Sequence, residues 1–84
     1  MDNIEANTFG AKRIYVVLYQ DDSECVTEVN CMCFTRERAL QEVRRLNLCL
    51  KNDGYDWFTD EGDLVDDRPG DACYYYYDSG MLKI

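Results

Sequence analysis

Residues 12–19, KRIYVVLY, limit the possible folds more than any other part of the chain. The run is rich in β-branched and aromatic side chains, which pack well on a pleated surface. Ile14, Val16 and Leu18 line one side, with Arg13, Tyr15, Val17 and Tyr19 on the other. Both sides are largely apolar, so the run predicts a central strand. Everything else must be arranged around it.

The polar residues 20–24 (QDDSE) read as a hairpin loop. Residues 25–33 then alternate again, with Cys25, Thr27, Val29, Cys31 and Cys33 on one side and Val26, Glu28, Asn30 and Met32 on the other. A helix is predicted over 36–51. Thr35 is placed to cap it, and Glu37 complements the positive end of its dipole. Phe34 and Ala39 occupy the positions of a hydrophobic staple. Ala39, Leu40, Val43, Leu46 and Leu50 recur at helical spacing as one apolar face. Lys51 suits the negative end, and Gly54 is a left-handed stop.

Beyond the helix, 55–59 (YDWFT) and Leu64-Val65 around the turn-like 60–63 read as a short hairpin. Residues 66–71 form a loop broken by Pro69 and Gly70. Residues 72–77 read as a last strand, and Asp78-Ser79-Gly80 as a turn into the tail. The fold class is therefore α+β: a small antiparallel sheet in β-β-α-β-β order with one helix packed on one face. The 84 residues leave room for one domain, 1–84, in which residues 1–11 are a loosely packed lead. No signal peptide or membrane span is recognisable, which points to the cytoplasm.

Residues 53–78 carry nine acids against one base, Arg68, and so account for the whole net charge of −8. They also hold seven of the eleven aromatic residues. Such a stretch has two readings: a contact surface for a basic partner, or a solvated loop. Concentration favours use, because clustered carboxylates repel one another in the folded state. The candidate contact residues are Asp56, Asp60, Glu61, Asp63, Asp66, Asp67 and Asp71, with the rings of Trp57, Tyr75 and Tyr77 as anchors. The run Tyr74 to Tyr77 sends two rings to each face of a strand. An outward pair would suit an interface core, where tyrosine is enriched. Trp57 also fits the core.

The same composition argues against several functions. Strong negative charge repels nucleic-acid backbones and anionic membranes, so direct binding to either is not expected. The chain has no histidine, which removes the common Cys-His and Ser-His-Asp arrangements, and it has no Gly-rich phosphate loop. No enzymatic activity and no cofactor are expected. The five cysteines lack a C-x-x-C spacing and read as small buried hydrophobes rather than as a metal site or a disulfide framework. The acids near Gly62 do not complete a calcium loop.

The order of IYVVLY, an acidic turn, a second strand and then F-T-x-x-x-A-L-x-x-V-x-x-L resembles small proteins of bacteriophages and other mobile elements. The acidic, Tyr-rich remainder is similar in size and charge to phage inhibitors of host defence, including anti-CRISPR and anti-restriction proteins, some of which mimic DNA. The resemblance implies a non-enzymatic inhibitor in a bacterial cytoplasm that blocks a basic, nucleic-acid-binding surface of a host protein. The alternatives are a self-associating structural or adaptor domain that forms a homodimer through the Tyr-rich strand, and a weak metal-binding module.

Overall fold

The computed structural model describes residues 11–83, with side chains described over 13–80. Three strands and one helix follow in the order β1 (Ala11–Asp21), β2 (Val26–Cys33), α1 (Arg36–Asn52) and β3 (Cys73–Lys83). The sheet is antiparallel, with strand order β2-β1-β3. The doubly apolar run therefore lies at the centre, where both of its edges are paired. The expected lead, residues 1–11, lies outside the described residues up to position 10; Ala11 opens β1.

The expected β-β-α-β-β order is not found, because only three strands form among the described residues. Between α1 and β3 the predicted hairpin is reduced to one bridge, Phe58 to Leu64. The turn itself forms, the Thr59 N–H donating to the Asp63 carbonyl at 2.7 Å and the Val65 N–H to the Trp57 carbonyl at 3.1 Å, and it is tied to the helix. Arg44 holds Asp63, Lys51 holds Asp60, and Asn47 donates to the Gly62 carbonyl. The predicted turn at Asp78-Ser79-Gly80 is also absent. Residues 11–14 of β1 extend past the end of β2, and β3 continues to Lys83 as their partner.

Thr35 caps α1 through its Oγ1, which accepts from the Arg38 N–H at 3.2 Å. At the other end the Gly54 N–H reaches the Lys51 carbonyl and the Tyr55 N–H reaches that of Leu50, a Schellman stop with Gly54 at φ 110°. The helix buries the line Ala39, Val43, Asn47 against the sheet. There it meets Val17 and Cys33, with Tyr15, Cys31, Leu46, Tyr75 and Tyr77 packed around them.

The buried line ends on a polar residue. Asn47 is 1% exposed, and its carboxamide makes three hydrogen bonds. Nδ2 donates to the Gly62 carbonyl at 3.0 Å and to the Tyr75 carbonyl at 3.1 Å, while Oδ1 accepts from the Tyr75 N–H at 2.8 Å. Gly62 fits beneath it because a Cβ there would land on the Arg44 carbonyl, and its φ of 94° disfavours any side chain.

The register between β1 and β2 shifts between Val17 and Leu18. Val17 faces Cys31 and Leu18 faces Val29, so Asn30 is the extra residue of a bulge. This corrects the alternation expected for β2. Cys31 and Cys33 stay on the helix side, but Val29 and Thr27 move to the opposite face with Met32, and Val26 and Glu28 take the helix side. Cys25 lies outside the strand, in the preceding turn at φ 54°.

Replacing Asn47 with Ala leaves three buried backbone groups without their partner and should cost about 2–4 kcal/mol in urea unfolding. A loss below about 1 kcal/mol would show that water or a relaxed loop replaces the amide. Gly62→Ala should also destabilise, by about 2 kcal/mol, because its strain falls on helix backbone. A variant as stable as the parent would contradict the tight helix-loop contact.

Candidate interaction surface

The acidic residues divide by what they touch. Asp63 accepts from Arg44 through both oxygens, at 2.9 and 3.1 Å. That bidentate bond raises the Arg44 pKa, with a smaller contribution from Glu61 nearby. Asp60 takes the Lys51 ammonium at 2.9 Å, and this hydrogen bond and charge lower its pKa. The Asp60 side chain is 96% exposed, so the pair adds little to stability. Asp56, Asp66, Asp67 and Asp71 form no ion pair among the described residues. Asp56, Asp66, Asp67 and Asp71 are all exposed.

The three candidate rings face inward or serve the frame. Trp57 donates its indole N–H to the Cys73 carbonyl at 2.8 Å and is half-buried beside Tyr55 and Phe58. Tyr75 and Tyr77 lie on the helix side. Tyr75 packs 5.1 Å from the Tyr19 ring, and Tyr77 stands edge-on to Tyr15 at 6.1 Å with its hydroxyl accepting from Arg36 Nε. The outward pair is Tyr74 and Tyr76, with centroids 6.0 Å apart. The run itself cannot say which pair faces out, because four identical residues offer the same alternation from either starting point. The contact of the odd residues with Asn47 and the core sets the phase.

Tyr74 and Tyr76 belong to the face of the sheet away from the helix. Register sets Gln20 opposite Tyr74 and Leu18 opposite Tyr76, with Val16 and Ile14 following along β1 and Thr27, Val29 and Met32 of β2 beyond them. Val29 is 66% exposed and Met32 is 59% exposed, so this apolar face is open to solvent among the described residues. One contact ties it to the acidic loop. Arg68 lays its guanidinium 5.5 Å from the centre of the Tyr74 ring and donates to the Val65 carbonyl. Asp66, Asp67 and Asp71 flank that arginine in the chain, and Asp78 follows the tyrosines on the same face. The sequence showed the acids and rings together, but Val29 was missed because the bulge at Asn30 reverses its direction.

The described residues contain no group of three or more His, Cys, Asp or Glu placed to hold a metal ion, and all five cysteines are free. Burial raises the Cys31 thiol pKa, with Cys33 beside it adding to the shift. No helix among the described residues is long and apolar enough to cross a membrane. The cleft beside Asn47 has a volume of about 220 Å³ and is walled by Val43, Leu64, Tyr75 and Tyr77. No family model matches the chain, and neither does any curated protein or solved structure.

Burial raises the phenol pKa of both Tyr19 and Tyr75 above the ordinary value of 10.0, and Cys73 adds to each shift. The native state therefore keeps these protons longer than the unfolded chain does. Stability from this source is complete below the unfolded value and is lost as pH rises toward the native values. The urea midpoint should hold up to about pH 9 and fall as pH rises through about 10 and beyond, and Tyr19→Phe with Tyr75→Phe should flatten that fall. An equally steep fall in the double variant would place its origin elsewhere.

Proposed function

We propose that this protein is a non-enzymatic binding module that covers a basic surface of a partner protein, of the kind that otherwise holds nucleic acid. One observation carries the reading: an open, largely apolar sheet face, bearing Tyr74 and Tyr76, is bordered by a loop whose Asp66, Asp67 and Asp71 form no ion pair among the described residues. Asp66, Asp67 and Asp71 supply a field that attracts a basic patch before contact, and the rings and aliphatic side chains supply the area buried on contact. Asp60, Glu61 and Asp63 lie near helix cations and contribute less to that field. Trp57, Tyr75 and Tyr77 support the surface from behind. Carboxylates held in this way can take the place of phosphates, so the bound partner loses access to DNA or RNA. Small size, acidity and a contact face without reaction chemistry fit an inhibitor acting in the cytoplasm of a bacterial host.

A second reading is favoured by the same open face. Val29, Met32, Tyr74 and Tyr76 could be covered by the same face of a second copy, making a sandwich dimer. Light scattering separates the two: a stable dimer abolished by Met32→Lys supports self-association.

Asp66→Lys, Asp67→Lys and Asp71→Lys together should leave the fold intact, since none of these acids forms an ion pair within the described residues. Immobilised parent protein should retain a nucleic-acid-binding protein from bacterial lysate at low salt and release it by about 0.5 M salt. The triple variant should retain about tenfold less. Retention indifferent to both salt and charge reversal would end the electrostatic reading.

A further inference from the structure

The outer edge of β3 is closed over its first half and open over its second. Trp57 occupies the Cys73 carbonyl, and Asn47 occupies both backbone groups of Tyr75. These groups therefore point away from β1. The pairing of β3 with β1 runs without a shift from Cys73 to Lys83, so the alternation continues and Tyr77, Ser79 and Met81 turn their backbone groups to the same outer edge. The Ser79 N–H is taken by Asp78 Oδ1 at 2.9 Å. The N–H and carbonyl of Tyr77 have no hydrogen-bond partner among the described residues. The 220 Å³ cleft opens at this point, with Val43, Leu64, Tyr75 and Tyr77 as apolar walls and Asp63 at its rim.

We infer that the open edge of β3, starting at Tyr77, takes up an extended basic segment of a partner as a fourth strand, with one apolar side chain of that segment in the cleft. The inference rests on the reading that the partner is basic, and it names the form in which part of that partner binds. An unpaired strand edge supplies main-chain hydrogen bonds, and an adjacent pocket selects a side chain. Charge selects the occupant. Three arginines stand near the edge: Arg44 is neutralised by Asp63, Arg36 is turned to the Tyr77 hydroxyl, and Arg13 reaches the Ser79 hydroxyl at 3.5 Å, beyond the Tyr77 position where the added strand starts. Asp78 forms no ion pair among the described residues, and residues 53–78 carry −8. A second copy paired along this edge would set two such stretches against each other, whereas a segment carrying lysine or arginine would neutralise them.

The probe is a short fluorescent peptide alternating lysine with valine and leucine, added to the full chain at low salt. It should bind, and hydrogen exchange at the Tyr77 amide should slow at least tenfold in the complex. An analogue N-methylated on the amides that would face β3 should bind about tenfold more weakly, because each methyl removes a ladder donor. A glutamate counterpart should not bind. Equal binding by the methylated analogue, an unprotected Tyr77 amide in the complex, or no binding of the lysine peptide would each overturn strand addition. Concentration-dependent protection of Tyr77 in the free chain would overturn it in favour of a second copy. The broader reading is tested separately: loss of lysate retention on reversing Asp66, Asp67 and Asp71, with methylation having no effect, would keep the acidic surface and reject the strand.

Discussion

The carboxamide of Asn47 joins three parts of the chain that are far apart in sequence: the helix, the loop at Gly62 and the edge strand at Tyr75. An aliphatic residue in its place would bury similar area, but it would accept many small displacements of helix against sheet. The amide accepts one, because any slip separates buried donors from acceptors in a medium where an unmet polar group is costly. With that point fixed, Gly62 can rest on the helix backbone and Asp63 falls within reach of Arg44. The same amide uses both backbone groups of Tyr75. It thereby sets which tyrosines face the helix and where the free edge of β3 begins.

A single helix can cover only one side of a three-stranded sheet, and here the other side keeps Val16, Leu18, Val29, Met32, Tyr74 and Tyr76 among a few polar residues, Gln20, Thr27 and Asp78. The bulge at Asn30 increases the contrast, since it turns Val29 outward to join Met32 and sends Glu28 to the helix side. A conventional solvated face would place charged residues at these positions. Instead, acids are gathered in the neighbouring loop, where like charge opposes the approach of a second copy. An apolar face together with a charged border is the usual composition of a contact surface, with a dry centre and a polar rim. Neither half would suggest this alone, since exposed aliphatic residues and acidic loops are each common.

The parts of the fold set by local chemistry were legible in the sequence. The doubly apolar run marked the central strand, Thr35 marked the helix start, and Gly54 marked its end. What was not legible depends on distant groups. Nothing near Asn47 says that its partners are Gly62 and Tyr75, although its position four residues after Val43 continues the buried stripe. The 55–65 segment turns back on itself as expected, but it pairs through one bridge only and does not extend into strands. The turn at Asp78-Ser79-Gly80 failed because tertiary pairing with β1 overrides the turn preference of those residues. In the candidate surface the acids could be found by counting. Which rings accompany them could not, because that depends on one buried amide, and the direction of Val29 could not, because that depends on one bulge.

The acids then differ in what they can do. Asp63 ties the loop to the helix through Arg44, and Asp60 lies against Lys51. Their charge is largely answered within the molecule. The carboxylates beyond them have only Arg68 near in sequence, and that arginine is directed at Tyr74 and the Val65 carbonyl. Repulsion among them weakens the folded state most at low ionic strength, where screening is least. A basic partner would relieve that repulsion at the same time as it buries the rings, so binding and folding would be linked by the same charges. A solvated loop needs no such arrangement, because dispersing the acids over the surface would give equal solubility without the repulsion.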